Sequence, residues 1–222
     1  MLAKQGYPEL TVVIADKQTD GYGRMGRSFF SPESSGLYMS IILRPKISPD
    51  KALYITTAAA AAVSQAIEDI CNKTTGIKWV NDVFIDNKKV CGILTEAGYS
   101  SDKLDYAILG IGVNIYTPPS GFPDDIKDIA GSVLDTPSDI KDSLINRIIQ
   151  KFIGYYNNLE AKEFLSYYRQ KSIVIGKTVN VIKQGSSYKA RVISIDDEFR
   201  LVVEDEAKRS IALDSGEISI RM

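Results

Sequence analysis

Apolar and polar residues alternate with two different periods along the chain, and the changes of period divide it into elements. Residues 10–15 are rich in β-branched side chains and read as a strand. Residues 37–43 read as a second strand, which Arg44-Pro45 ends, and the Gly-, Ser- and Pro-bearing stretch between them, 16–36, reads as a long loop. Ser48-Pro49-Asp50 supplies helix-start chemistry for an alanine-rich helix running to about Asn72, whose small side chains suit close packing on a sheet. From 77 to 96 the pattern is strand, turn at Asn81-Asp82, strand, turn at Asp86-Asn87, strand, and residues 104–115 add another long strand. A Pro-rich loop over 116–137 leads to two helical patterns, 138–159 and 161–170, the second with Phe164, Leu165 and Tyr168 at helical spacing.

After Gly176 the period becomes alternating, with five short strands expected at 178–182, 188–195, 201–203, 210–213 and 217–220. Strands this short and closely spaced suit a small SH3-like β-barrel. The pattern as a whole predicts an α+β fold: a mixed, mainly antiparallel sheet packed by helices over 1–172, then the barrel over 173–222. No internal repeat or low-complexity tract interrupts it.

Composition narrows the chemistry. The 222 residues are 44% hydrophobic and 25% charged, within the range of ordinary globular proteins. The longest apolar stretch, 52–63, falls short of the ~20 residues a membrane span needs, and no secretory signal is visible at the N-terminus, so the expectation is a cytoplasmic protein without a membrane role. Cys71 and Cys91 are the only cysteines and are expected as reduced thiols, not nucleophiles. Histidine is absent, which removes Ser-His and Cys-His nucleophiles and His-based zinc sites. A net charge of -1, with acidic and basic residues balanced over 173–222, gives no footprint for DNA or RNA. The chemistry is left to Lys, Arg, carboxylates, amides and bound substrates, and no metal-binding residues are expected.

Three features stand out. Gly21-Tyr22-Gly23-Arg24-Met25-Gly26 matches a dinucleotide-binding spacing, but it leads into more loop and a strand where that motif opens a helix, so the dinucleotide reading fails. What remains is either a solvated loop or a glycine loop that folds its amides, Arg24 and Arg27 round a phosphate. Lys78 follows Ile77 and precedes Trp79-Val80 in an apolar strand; its ammonium either snorkels to solvent or meets an anion. By two-residue alternation Leu104, Tyr106, Ile108, Gly110, Gly112 and Asn114 share one strand face, and Gly92 repeats the device in a neighbouring strand. Glycines there mean that something lies close against the backbone, either a ligand or a packed helix.

Taken together, Gln18 through Arg27, Phe29-Phe30-Ser31-Pro32, Gly36-Leu37-Tyr38-Met39-Ser40, Lys78-Trp79-Val80-Asn81-Asp82, Lys89-Val90-Cys91-Gly92-Ile93-Leu94-Thr95-Glu96, Gly110-Ile111-Gly112-Val113-Asn114 and Gly216-Glu217-Ile218-Ser219 resemble, in order and spacing, the biotin protein ligase family. The resemblance covers nearly all of the chain. It implies a class II synthetase-like catalytic fold with a C-terminal SH3-like barrel, and a two-step reaction in which biotin and ATP, with Mg²⁺ held by phosphates and water, give biotinyl-5′-AMP, followed by transfer to a lysine of a biotin carboxyl carrier protein. On matching positions it implies catalytic roles for Lys78 and Arg24. Gln18, Gly21, Lys78, Gly92 and Leu94 would line the biotin side, with Arg24, Arg27, Phe29 and Asn114 on the ATP side. Tyr22, Met25 and Val80 depart from the family pattern, standing where arginine, a basic residue and proline are usual. The family's upstream Ser-Thr-Asn segment and N-terminal DNA-binding domain are expected to be missing, and a homodimer is left open. Two other readings compete: a catalytically weak nucleotide-binding or interaction module of the same fold, and a lipoate-type ligase. Gly-x-Gly-Arg followed by Lys-Trp-x-Asn-Asp is the biotin-type arrangement.

Overall fold

The structure is a computed structural model that describes residues 2–100, 103–183, 186–214 and 217–219. Its main sheet contains β1 (Val12–Ala15), β2 (Gly36–Leu43), β3 (Gly76–Lys78), β4 (Asp82–Ile85), β5 (Lys88–Ser100) and β6 (Lys103–Asn114), in the order β1-β2-β6-β5-β4-β3. Every strand pairing in it is antiparallel, and among the described residues parallel contacts occur only as isolated bridges such as Ile77 with Ser172. The expected β3-to-β6 meander is present.

One face of this sheet carries Leu37, Met39, Ile41, Ile93, Leu109, Ile111 and Val113, all buried, against helix α1 (Leu53–Cys71). Helix α2 (Lys141–Tyr156) lays Leu144, Ile145, Ile148 and Phe152 on the far side of α1. The alanines Ala58 to Ala62 are wholly buried because a helix sandwiched between a sheet and another helix must be small and apolar all round. The helix ends near Asn72 as expected, and Asn72 takes the left-handed conformation that terminates α1. The later helices are shorter than expected: α2 starts at Lys141, and the second pattern resolves into a turn at Leu159–Ala161 and α3 (Leu165–Gln170).

Two strand expectations need correction. The turn after Lys78 spans Trp79, Val80 and Asn81, so Asp82 begins β4; Trp79 and Val80 turn into the core, and the peptide bond between them is cis. Leu104 does not share the glycine face, because the register skips Asp105 between the pairs Gly98–Tyr106 and Tyr99–Leu104. That bulge delivers Leu104 to the helix side, where it is buried.

The second sheet comprises β7 (Thr178–Lys183), β8 (Ser186–Ile195), β9 (Leu201–Asp205), β10 (Ser210–Leu213) and β11 (Glu217–Ser219), in the order β10-β9-β8-β7-β11, all antiparallel. These are the five strands expected there, an arrangement consistent with a small SH3-like unit; Gly216 and Ile220 of the closing strand lie outside the described residues. Val179, Val181, Val192, Leu201, Val203 and Leu213 supply its interior.

Candidate functional site

The face of the main sheet turned away from α1 holds the predicted site residues. Directly paired positions run across it in one row: Ala15, Tyr38, Gly112, Gly92, Asp82 and Lys78. Paired residues point to the same side, so Lys78 and Asp82 stand at one end of a floor made by the two glycines. The next row on this face is Val13, Ser40, Gly110 and Leu94, and beyond it lies Glu96, paired with Ile108.

The loop between β1 and β2 folds over this floor as a short finger. Tyr22 bridges Ser28, the Gly23 amide donates to the Arg27 carbonyl at 2.7 Å, and the Phe29 amide donates to the Gly21 carbonyl at 2.7 Å. Gly21 is required there, since a Cβ would fall 2.5 Å from the Phe29 carbonyl oxygen and 2.7 Å from Ser31 Oγ. Ser31 Oγ donates to Gln18 Oε1 at 2.8 Å, closing the base of the finger. At its tip, Arg24 Nη1 donates to Asn81 Oδ1 at 3.3 Å, which brings the glycine loop to the Lys78 turn. Arg27 is exposed beside it. Asn81 is itself held, its Nδ2 donating to the Ile93 carbonyl at 2.9 Å and its carbonyl accepting from the Ile93 amide at 3.0 Å.

The glycine floor has a specific occupant. A Cβ on Gly112 would lie 2.4 Å from Phe29 Cε1, and one on Gly92 would lie 3.1 Å from Phe29 Cε2. The Phe29 ring therefore rests on both glycines, edge-on to Tyr38 at 6.5 Å between centroids. A helix, the competing explanation for the glycines, is on the other face. Gly110 differs: among the described residues, the only atoms within 4 Å of a Cβ built on it belong to Leu94, at 3.6 and 3.9 Å, which leaves an open slot between Phe29 and the Tyr22 end of the finger. Tyr22 closes that end, its hydroxyl donating to Glu96 Oε2 at 2.8 Å. This hydrogen bond, with some burial and the charges of Glu96 and Asp20, raises the phenol above its ordinary value, so Tyr22 stays protonated as a donor.

The predicted residues thus gather with graded closeness. Lys78, Gly92, Leu94, Phe29, Gly21 and Arg24 border one floor. Asn114 lies one step beyond Gly112 on the same face, where its Nδ2 donates to the Gly131 carbonyl at 3.0 Å and pins the 129–133 loop. Sequence reasoning missed Lys89 as a site residue. Its Nζ sits 2.7 Å from Asp82 Oδ1 and 3.2 Å from a Cβ built on Gly92, a second cation beside the floor. Alternation puts Lys89 on the wrong side, but a bulge between the pairs Val83–Cys91 and Phe84–Lys89 buries both Val90 and Cys91 and swings Lys89 onto the glycine face. The adjacent apolar pair Val90-Cys91 was the available signal. Burial pushes the Cys91 thiol well above its ordinary value, and Cys71, half-buried, moves the same way, so neither is poised as a nucleophile. A separate cavity of ≈ 640 Å³, lined by Lys4, Arg44, Gly98, Asp105 and Tyr106 among others, collects none of the predicted site residues.

Comparison with known proteins gives this geometry a context. A family model described as "Biotin/lipoate A/B protein ligase family" matches residues 2–114. The bifunctional ligase/repressor BirA of Bacillus subtilis is 38% identical over 208 residues, which is 91% of this chain and 64% of that protein. The biotin--[acetyl-CoA-carboxylase] ligase of Mycobacterium tuberculosis is 28% identical over 93% of this chain and 77% of its own length. Among solved structures, the biotin protein ligase from Aquifex aeolicus in complex with biotin and ATP superposes with a TM-score of 0.78 at 26% identity, covering 97% of this chain and 90% of that one. The chain spans just under two thirds of the length of the Bacillus relative.

Proposed function

The chain belongs to the biotin/lipoate A/B protein ligase family, and from that premise we propose that it is an ATP-dependent biotin protein ligase. In the first step a biotin carboxylate oxygen attacks the α-phosphorus of ATP, pyrophosphate leaves, and biotinyl-5′-AMP forms. In the second a lysine amine of a biotin carboxyl carrier protein attacks the activated carbonyl, AMP leaves, and the amine gives up a proton. The observation that carries the reading is the row Gly112, Gly92, Asp82, Lys78, with the Arg24 finger bonded to Asn81 beside it: a cation and a guanidinium converge where an apolar floor ends.

On this reading Lys78 neutralises the charge that builds between carboxylate and α-phosphate, and Arg24 holds the phosphate and keeps the finger down. Gln18, Gly21, Gly92 and Leu94 border the biotin side, where the floor at Gly110 has room for biotin's fused ureido and thiophane rings. Arg27, Phe29 and Asn114 serve the nucleotide. Mg²⁺ enters as the ion of the nucleotide, its ligands supplied by phosphates and water. Residues 1–172 form the catalytic unit and 173–222 the SH3-like one, working in the cytoplasm on a carboxylase carrier domain. No helix of the described residues is long and apolar enough to cross a membrane.

Pyrophosphate release from ATP tests the reading, with biotin or lipoate supplied as the acid. The wild-type chain is expected to respond to biotin, and Lys78→Ala to lower that rate by ~10²-fold or more, as loss of a group aimed at developing charge does. A response to lipoate alone would assign the site to the other acid. An undiminished rate in Lys78→Ala would remove the lysine from the mechanism.

A further inference from the structure

Trp79, the only tryptophan in the chain, immediately follows Lys78 and is held by a residue from a turn of the second, C-terminal unit. Its Nε1 donates to the Phe199 carbonyl at 2.9 Å. Phe199 lies in the turn between β8 and β9, where its neighbours Asp197, Glu198 and Arg200 are exposed, yet Phe199 itself is wholly buried, outside its own sheet. Its ring stacks on Phe164 at 5.0 Å and meets Tyr54 and Tyr168 edge-on at 5.1 and 6.0 Å.

The turn that presents Phe199 is shaped by local bonds. Asp196 Oδ1 accepts from the Glu198 and Arg200 amides, both at 2.9 Å, and the Phe199 amide donates to the Asp196 carbonyl at 3.0 Å. Around it, Arg169 reaches the Ile195 carbonyl and Asp197, and Lys162 pairs with Glu198 at 2.8 Å. The same cluster grips the Lys78 turn a second time, because the Tyr168 hydroxyl donates to the Val80 carbonyl at 3.0 Å. Trp79 and Val80 are thus fixed on the core side while Lys78 and Asn81 face the site.

We propose that Phe199 is a positioning residue for Lys78. It acts through Trp79 and Tyr168, so the second sheet governs the rate of the step that uses the lysine. The inference rests on the ligase reading above. Phe199 is wholly buried at the hairpin tip, which anchors the tip on the catalytic unit. Seated between Tyr54, Phe164 and Tyr168, it turns its carbonyl into a fixed acceptor for the residue next to the lysine. A side chain held from behind in this way loses rate and not affinity when the support slackens, since misplacement of about 1 Å at a reacting group costs up to ~10²-fold.

The experiment uses the full chain and variants Phe199→Ala, Phe199→Leu and Tyr168→Phe, with Trp79 emission and biotin-dependent pyrophosphate release read on the same samples below their melting temperatures. Phe199→Ala is expected to red-shift Trp79 emission and lower kcat by about tenfold, with the KM values for biotin and ATP changed by less than about threefold. Phe199→Leu, which refills most of the space, should recover most of the rate. Tyr168→Phe removes one hydroxyl from an otherwise unchanged ring, and is expected to lower kcat several-fold even if Phe199→Ala fails to fold. If the wild-type chain is active and these variants keep kcat, or lose only KM, the positioning role is overturned while the ligase reading stands. A wild-type chain that releases no pyrophosphate overturns the ligase reading and the inference with it.

Discussion

On the helix side of the main sheet, Met39, Ile93, Ile111 and Val113 are at most 3% exposed and meet the small residues of α1. One position along each strand, on the loop side, stand Tyr38, Gly92, Gly110 and Gly112, and the space above them belongs to Phe29, the arginine finger and an open slot. Strands β5 and β6 therefore place their apolar volume on the helix side and withhold it on the loop side, where Tyr38 of β2 borders the space they leave. Volume on the helix side sets stability. Its absence on the loop side leaves room for a ring and for chemistry, so substitutions on the two faces should separate cleanly.

The largest expected effect is on the helix side. Ile111 pairs with Met39 and Ile93 across the sheet and is 2% exposed, so Ile111→Ala should cost about 2–5 kcal/mol of stability through lost burial and a residual cavity. Denaturant unfolding reads this directly. The folded fraction should keep its activity, and a loss of kcat in fully folded protein would show that the two faces are coupled.

How much of this arrangement the sequence reveals depends on the range over which each feature is decided. Elements decided by neighbours along the chain are legible: the long strand β6, the alanine run of α1, its end near Asn72, and the five short strands after Gly176 all appear where their patterns place them. The glycines of β5 and β6 announce a close approach, but nothing local says that Phe29 makes it, because the two are brought together only when the finger folds over the sheet. Single extra residues defeat alternation: the bulges at Asp105 and Val90 reverse the faces of Leu104 and Lys89, and a bulge has no sequence signature as strong as the period it breaks. Trp79 and Asn81 read locally as strand and turn, while the partners that fix them, Phe199 and Ile93, lie far off in sequence.

The next effect belongs to the glycine floor. Gly112→Ala puts a Cβ 2.4 Å from Phe29 Cε1, so the ring must lift, at about 1–3 kcal/mol of overpacking that falls on the loop and not on the core. Biotin-dependent kcat/KM should fall about tenfold with little change in global unfolding. Adding Phe29→Ala should relieve the clash, giving a non-additive double-mutant cycle. Gly110→Ala is the control within the same floor: among the described residues its Cβ meets only Leu94, at ordinary contact distance, so it should keep or slightly raise stability while narrowing the slot. If Gly110→Ala leaves biotin affinity untouched, the slot is not where the ring system sits.

The smallest effect concerns the far end of the finger. Tyr22 is 54% exposed, and its bond to Glu96 joins the finger loop to strand β5, so Tyr22→Phe should loosen the finger by no more than the lower part of the ~0.5–1.5 kcal/mol that a hydrogen bond is worth. Because α1 and the helix-side residues are untouched, the global melting transition should not move. The change should appear as faster amide exchange over residues 21–29. The pH dependence has a definite sign. The hydrogen bond to Glu96 raises the phenol above its ordinary value of 10.0, so the protonated donor is the form the folded loop favours. Its stabilisation is complete below that ordinary value and is lost only as pH rises through the raised one. The exchange difference between the wild-type chain and Tyr22→Phe should therefore be flat from pH 6 to 9. A difference that fades within that window would mean that a group other than Tyr22 holds the finger to the floor.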